Sequence, residues 1–363
     1  VLNKRYTLPG VGSYAAAAIS AGDLGKVGLA ILTMSIMVIG VNIVFWRPLT
    51  AWVERFKVEQ SEPSEVQRSF VLDLLRHSRW PALAGRLRRR IADPLGRAMA
   101  IFGRDDRSLT VDVHRRRIGD AVFLVVVVGA VSFGIVELLR YTAAKEGLGV
   151  YMTALWEGLI TLVRVIVLVG VATLVWVPIG VKIGMSPRLT RFAQPVVQVL
   201  ASFPANFLFP FATALFIAAG ISLNVGGILL MSLGAQWYIL FNTIAGATAI
   251  PSDLREAMDN LGVRGWQRWR RFILPAIFPA YVTGAITASG GAWNASIVAE
   301  VVTYGGTTLT ASGLGAFIAH GTQTGNFPAI LAGIAVMSLY VVGLNRLVWR
   351  RLYRLAESRY SLD

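Results

Sequence analysis

Residues 251–275 read PSDLREAMDNLGVRGWQRWRRFILP, a polar island between two strongly apolar runs. The stretch predicts two short helices joined by a glycine. Asp253 suits an N-cap, and Glu256 three residues on can reach back to close a capping box. Leu254, Ala257, Met258 and Leu261 fall at i, i+3, i+4 and i+7, which is one apolar stripe on a helix. Gly262 follows the stripe at a C′ position, where φ > 0 is wanted. Beyond it Trp266, Trp269 and Phe272 make a second stripe, with Arg264, Arg268, Arg270 and Arg271 mostly off it. Pro275 fits the first turn of the next helix, where its missing N–H does no harm. A loop with a Leu/Ala/Met face and a Trp/Phe face is built to dock onto something. The Trp/Arg half by itself would also suit lipid headgroups.

The runs on either side decide the class of protein. The chain has 363 residues, 55% of them hydrophobic, with a mean hydropathy of +0.59. Several apolar runs approach the ~20 residues needed to cross a bilayer, so the chain reads as an all-α polytopic membrane protein. The net charge of +15 raises nucleic acid as a partner and does not support it. The basic residues cluster beside apolar spans, as they do in cytoplasmic loops under the positive-inside rule. Cysteine is absent and His77, His114 and His320 are scattered, which speaks against metal or thiol chemistry. There is no G-x-x-x-x-G-K-[ST] phosphate loop, so ATP hydrolysis would need another subunit. No cofactor is expected.

Seven spans are predicted. Val27 to Phe45 comes first, with Arg47, Arg55 and Lys57 beyond it. Residues 58–117 form a polar, strongly basic connector in which Val66, Phe70 and Leu74 recur at i+4, an amphipathic helix suited to an anionic membrane surface or to solvent. Six further spans follow: Ile118 to Leu139, Gly158 to Val181, Val196 to Ala219 broken by Pro204 and Pro210, Val225 to Ala247, Ala276 to Ala299, and Phe327 to Leu347. The clusters at Arg115–Arg117, Lys182–Arg191, the 251–275 loop and Arg346–Arg354 all fall on one side, which the charge rule makes cytoplasmic.

An internal repeat links the two ends of the chain. A shift of 303 (313 − 10) lays Gly10-Val11-Gly12 on Gly313-Leu314-Gly315, Gly22 on Gly325, Met34-Ser35 on Met337-Ser338, Asn42 on Asn345 and Trp46-Arg47 on Trp349-Arg350. Over residues 10–57 the ungapped pairing gives 14 identities in 48 positions, where about 4 would be expected by chance.

Polar groups inside the spans are candidates for a solute path, because they are costly at membrane depth. Irregular backbone at Ser202-Phe203-Pro204-Ala205-Asn206 is tolerated only against protein or a cavity. In the fifth of the six later spans Trp293, Asn294, Ser296 and Glu300 stand out, while Gly290 and Gly291 suit close helix packing. Glu300 is placed either on the path or at the outer interface. Arg164 and Glu157 are expected to reach outward to the interface rather than bind cargo.

The loop resembles the coupling loop of ABC-importer permeases, of the form E-A-A, three residues, G, nine residues, I-x-L-P. Here it reads Glu256-Ala257-Met258, three residues, Gly262, nine residues, Phe272-Ile273-Leu274-Pro275, departing at Met258 and Phe272. SFPANFLFP and AWNASIVAE are similar to the third and fifth spans of the nitrate/sulfonate/taurine-type branch. The resemblance implies a six-helix type I permease half over 118–363, in a bacterial inner membrane. It implies cytoplasmic ABC ATPase subunits docked on the loop through Leu254, Glu256, Ala257, Met258, Leu261, Gly262, Trp266, Trp269, Leu274 and Pro275. It also implies an extracytoplasmic solute-binding protein and a second permease half. With the repeat, the expectation is a fragment of a duplicated, two-half permease: 1–57 the tail of the first copy, 58–117 a connector, 118–363 the second copy. The cargo implied is a small solute, anionic in that branch, and no residue chooses among nitrate, sulfonate, bicarbonate or an organic nutrient. An ion-coupled secondary transporter or a channel is the competing class. Such carriers place titratable groups near the midplane, and these spans carry theirs towards the ends.

Overall fold

Apolar segments with no water to bond their backbone must close their hydrogen bonds internally, and this chain does so by forming helices. The computed structural model describes residues 8–46, 48–49 and 113–359. The connector helix expected around Val66 to Leu74 lies outside the described residues. The chain divides into two units, Val1–Val38 with Tyr141–Asp363, and Ile39–Arg140.

The helices in chain order are α1 (Val11–Ser20), α2 (Leu24–Val41, running into a π-helical turn Asn42–Trp46), α3 (Val113–Lys145), α4 (Gly149–Gly184) and α5 (Pro187–Ser202). A 3₁₀ turn, Ala205–Leu208, leads into α6 (Phe209–Ala219), followed by α7 (Leu223–Thr248) and α8 (Ser252–Asn260). Helix α9 is continuous from Gly265 to Ala299, with a π-helical turn at Trp269–Ile273. A two-stranded antiparallel hairpin follows, β1 (Val301–Tyr304) and β2 (Thr307–Thr310), with Tyr304 opposite Thr307. The chain ends in α10 (Leu314–Thr324), α11 (Phe327–Leu344, with a π-helical turn Asn345–Trp349) and α12 (Arg350–Arg359).

Among the described residues, six helices are long and apolar enough to cross a membrane: Leu24–Trp46, Ala121–Lys145, Gly149–Gly184, Leu223–Thr248, Gly265–Ala299 and Phe327–Arg359. The seventh expected span is not straight. Pro187–Ser202 and Ala205–Ala219 meet at 83°. Pro204, at the break, has no N–H to continue a helix. Pro210 does not break the span as expected; it sits in the first turn of α6, where a proline is tolerated. Along α3, in the second unit, Phe123, Val125 and Phe133 are exposed, as expected of a span with apolar surface for lipid or protein.

In the first unit α7 is the spine, with α4 and α9 packed against it. Glycines set the separation. A Cβ on Gly184 of α4 would fall 2.6 Å from Ile244 O, and one on Gly284 of α9 would fall 2.8 Å from Tyr238 O. Backbones approach this closely only where side chains are small, the usual device for helix contact in lipid. Polar side chains pin the same contacts: Trp176 Nε1 donates to Gln236 Oε1 at 3.0 Å, and the Thr173 and Tyr281 hydroxyls lie 2.9 Å apart. Leu230, Met231, Ala235 and Ile239 of α7 are fully buried in the resulting core.

The repeated stretches adopt the same elements. Adding 303 to Leu24–Val41 gives Phe327–Leu344, and to Asn42–Trp46 gives Asn345–Trp349, the observed bounds of α11 and its π turn. Gly22 and Gly325 both have φ near +69°. Asp23 Oδ1 accepts from Lys26 N at 3.0 Å, and its counterpart Asn326 accepts from Ala329 N at 3.1 Å, so the second helix of each pair is capped alike.

Candidate functional site

The 251–275 loop stands free of the core along most of its length. Helix α8 has no buried residue, and Leu254, Glu256, Ala257 and Leu261 are exposed, with Met258 half-buried. It ends as the sequence predicts: Gly262 has φ +65°, its N–H bonds Asp259 O, and Val263 N–H reaches back to Met258 O at 3.1 Å. That pairing is a Schellman motif, which needs a residue comfortable at positive φ.

The start of the loop departs from expectation. The N-cap is Pro251, with no side-chain cap, and Asp253 lies inside the first turn, so the Asp253–Glu256 capping box does not form. A proline ahead of the helix fixes the entry geometry, and an acidic first turn still complements the helix dipole.

The far side of the loop also differs. Trp266, Trp269 and Phe272 do not share one free face: Trp266 is exposed, Trp269 half-buried, and Phe272 buried in the core. Pro275 sits in the first turn of the α-helical run Leu274–Ala299, as expected, although that run follows the π turn without a break. Such turns are single-turn insertions within α-helices, and this one precedes the residue that cannot donate a backbone hydrogen bond.

Two arginines tie the loop to the helices on either side. Arg255 Nη2 donates to Ala247 O at 3.0 Å and to Thr248 O at 3.3 Å, the last carbonyls of α7. Burial, with the nearby Arg268 guanidinium, pulls Arg255 below the usual arginine value; arginine remains charged in proteins regardless. Arg268, at the start of α9, pairs with Asp259 of α8.

At the other end of α9 the polar residues are sealed. Glu300 is fully buried, and its Oε1 accepts from Arg164 Nη1 and from Thr161 Oγ1, both at 2.8 Å. Its Oε2 accepts from Ala316 N at 3.1 Å. Arg164 Nη2 donates to Asn224 Oδ1 at 2.9 Å, and that oxygen also accepts from Ser312 N at 3.0 Å. Thr161 Oγ1 takes the Leu314 N–H at 2.9 Å. Gly313 leaves the room: a Cβ there would collide with the Glu300 carboxylate. Arg164 therefore does not reach outward to the interface. A guanidinium this desolvated persists only where it is paired and hydrogen-bonded, and its partner lies 136 residues away, beyond any spacing rule. Thr161 and Asn224, which complete the cluster, were not anticipated by the sequence reading.

The remaining polar candidates separate by face. Trp293 and Ser296 are buried beside Glu300's side of the helix, Ser296 Oγ donating to Trp293 O at 2.8 Å. Trp293 stacks on Tyr340, centroids 5.9 Å apart. A cavity of about 200 Å³ lies next to it, lined also by Ser289, Gly290, Asn345 and Trp349. Asn294 faces the opposite way and is exposed, as are Ser202 and Asn206 at the α5–α6 break. Thr283, Thr287, Gly290 and Asn294 are all exposed and recur at i, i+4, i+7 and i+11, one stripe of polar and small residues along an otherwise apolar helix. Thr283 and Thr287 were missed, although their period is visible in the sequence.

Several membrane-length apolar helices and a free amphipathic loop make this a multi-pass membrane protein with an uncovered surface for a partner. A family model described as "binding-protein-dependent transport system inner membrane component" matches residues 176–361, just over half of the chain. The chain belongs to that family, the permease components of ABC importers. It is 28% identical over 203 residues to the nitrate import permease protein NrtB of Leptolyngbya laminosa, covering 56% of this chain and 69% of that one. It is 28% identical over 208 residues to the bicarbonate transport system permease protein CmpB of Synechococcus elongatus, covering 57% and 70%. It is 26% identical over 207 residues to the taurine transport system permease protein TauC of Escherichia coli, covering 56% and 70%. These relatives fall in the nitrate/sulfonate/taurine-type branch.

Proposed function

We propose that this chain forms the translocation path of an ATP-driven importer in a bacterial inner membrane and is moved by a separate ATPase through the 251–275 loop. The observation that carries the reading is the free face of α8. Leu254 and Leu261 are 39% and 72% exposed on a helix anchored at both ends by Arg255 and by the Arg268–Asp259 pair. Exposed apolar residues on a firmly held element mark a surface for a protein partner. Two long helices, α7 and α9, leave from its two anchor points, so a push on α8 reaches the core of the bundle. An extracytoplasmic binding protein would deliver the solute, as the family description implies.

The stripe Thr283, Thr287, Gly290 and Asn294, with Ser202 and Asn206 at the break, is the surface we assign to the solute. The Asn294 and Asn206 amides are uncharged donors suited to a small oxyanion that must bind and then leave, while the Thr283, Thr287 and Ser202 hydroxyls donate to their own helices and would turn to join them; nitrate, bicarbonate and taurine relatives support a small anionic solute. Residues 10–57 we read as the closing segment of a first permease half, on the strength of the repeat. The second half would face the exposed stripe across the path.

The test is purification from membranes with candidate ATPase subunits, followed by solute uptake into vesicles. Co-purification and vanadate-sensitive uptake are expected. Uptake abolished by an ionophore and indifferent to vanadate would establish an ion-coupled carrier instead.

A further inference from the structure

Between α9 and α11 lies a groove that neither the loop nor the solute stripe accounts for. It is the cavity of about 200 Å³, with Ile286 and Trp293 of α9 on one wall and Val341, Val342, Leu344 and Trp349 of α11 and its π turn on the other. Apart from the indoles its polar side chains are Ser289 and Asn345, and among the described residues no charged one lines it. At 3.6 residues per turn, its wall on α9 is centred about a quarter turn round from Thr283, Thr287 and Asn294. Most of it is therefore off the surface assigned to the solute, with Gly290 as the shared rim. It opens along α11, where Val342 is 55% exposed and Asn345 is exposed.

Depth and charge say what fits. Helix α11 starts at Phe327, at the opposite end of its span from the arginines. At 1.5 Å per residue, Val341 lies about 21 Å along it and Trp349 about 33 Å. A hydrocarbon core is about 30 Å thick. The groove therefore runs about 12 Å through the leaflet on the side that the charge rule makes cytoplasmic, most of that leaflet's hydrocarbon depth. The Trp293–Tyr340 stack stands at its deep end. Trp349 stands at its mouth, followed by Arg350 and Arg351, with Arg346 one turn before. All three arginines are exposed, and among the described residues none is paired with a carboxylate. Trp349 is 9% exposed, and its indole N–H has no hydrogen-bond partner among the described residues. A buried donor in that state calls for an acceptor that the chain itself does not supply.

We propose that the groove is a site for one anionic glycerophospholipid of the cytoplasmic leaflet, with an acyl chain between α9 and α11 and the phosphate on Arg346, Arg350 and Arg351. Apolar walls suit a hydrocarbon chain. They do not suit a small hydrated anion, which would give up its water and find little to replace it. Guanidinium groups match phosphate oxygens with paired donors, and a basic cluster just inside a membrane helix is how anionic lipid is held at that surface. The site depends neither on the identity of the solute nor on the ATPase.

The test uses the intact chain in phosphatidylcholine nanodiscs containing a trace of phosphatidylglycerol with a photoactivatable diazirine in one acyl chain. Phosphatidylcholine carrying the same chain is the comparison, and adducts are mapped by peptide mass spectrometry. In the wild type, phosphatidylglycerol should label 286–293 and 341–349 at least about fivefold more than phosphatidylcholine does, the factor one arginine is worth at an anionic surface. Both lipids should label α3 equally around exposed Phe133. Arg346→Gln with Arg350→Gln and Arg351→Gln should remove the preference and leave the two lipids alike. Val341→Phe, which fills the groove, should remove adducts at 286–293 with both; where it does not fold, Ser289→Leu fills the groove from the other helix and is scored in its place. Equal labelling of the wild-type groove by the two lipids would mean ordinary bilayer contact and overturns the proposal. So does labelling at Phe133 with none in the groove, which would show it covered by protein, and so does a preference that survives the triple arginine variant.

Discussion

Helix α9 has polar clusters at its two ends, and they are built to opposite specifications. Beyond Ala299, the buried Glu300 carboxylate is surrounded by donors from Thr161 and Arg164 of α4 and from Ala316 of α10, and nothing of it is left for an outside molecule. Before Gly265, α8 keeps its apolar residues in the open and is held in place through Arg255 and Asp259. In a membrane protein, then, the number of polar residues in a segment says little about its role. What matters is whether their partners come from the same chain. The closed cluster fixes how α4, α7 and α9 sit together, and the open loop leaves the apolar face of α8 uncovered. Helix α9, 35 residues long and so about 50 Å from end to end, joins the two.

The hardest test of that contrast is to break the closed end. Glu300→Ala leaves the Arg164 guanidinium buried without its ion partner and should cost about 3–5 kcal/mol of stability. Thermal unfolding in detergent should show it, and the double variant Arg164→Met with Glu300→Leu should recover most of the loss. A single variant that unfolds with the wild type would mean the cluster is solvated in the protein and not closed.

The open end should behave in the reverse way. Leu254→Asp with Leu261→Asp removes the free apolar face and should weaken ATPase-subunit binding by at least about 2 kcal/mol, roughly 30-fold. Unfolding should stay where it was. A drop in unfolding temperature without loss of binding would place these leucines in the permease core.

Much of the open end was legible in the sequence, and little of the closed end. The loop's apolar stripe and Gly262 are local features, decided by residues within one or two turns, and the pattern of Leu254, Met258 and Gly262 is enough to predict them. The repeat was legible for a related reason: Gly22 and Gly325 answer to the same turn, so the same residue recurs. By contrast, Arg164 and Glu300 meet only through the packing of α4 on α9, and hydropathy alone placed Arg164 at an interface. The break after Ser202 was visible from Pro204. Pro275 in a first helical turn was legible too; that the helix runs unbroken from Gly265 into it was not, because the π turn ahead of it leaves no mark in the sequence.

Smaller effects sharpen the comparison at the loop itself. Gly262→Val puts a β-branched residue at positive φ, at a cost of about 1–2 kcal/mol. Nothing lies within 4 Å of the Cβ position, so the cost is conformational and confined to the end of α8. ATPase association should fall while unfolding changes by no more than a degree or two; unchanged association would mean the Schellman turn is dispensable for docking.

The smallest effect should come from Arg255→Ala. It removes a cation from the last carbonyls of α7, worth about 0.5–1 kcal/mol at a helix C-terminus, and leaves the apolar face of α8 intact. Binding of the ATPase subunit should therefore survive, and so should the fold. What should change is transmission, because α8 would still be tied to α9 through Arg268 and Asp259 but no longer to α7. Hydrolysis measured with transport in the same vesicles should then show more ATP consumed per solute moved. Arg255→Lys, which keeps the charge and loses the planar fork, should lie between the two. If the ratio is the same in all three proteins, α7 receives its motion through the packing of Gly184 and Gly284 on its backbone, and the arginine only secures the loop.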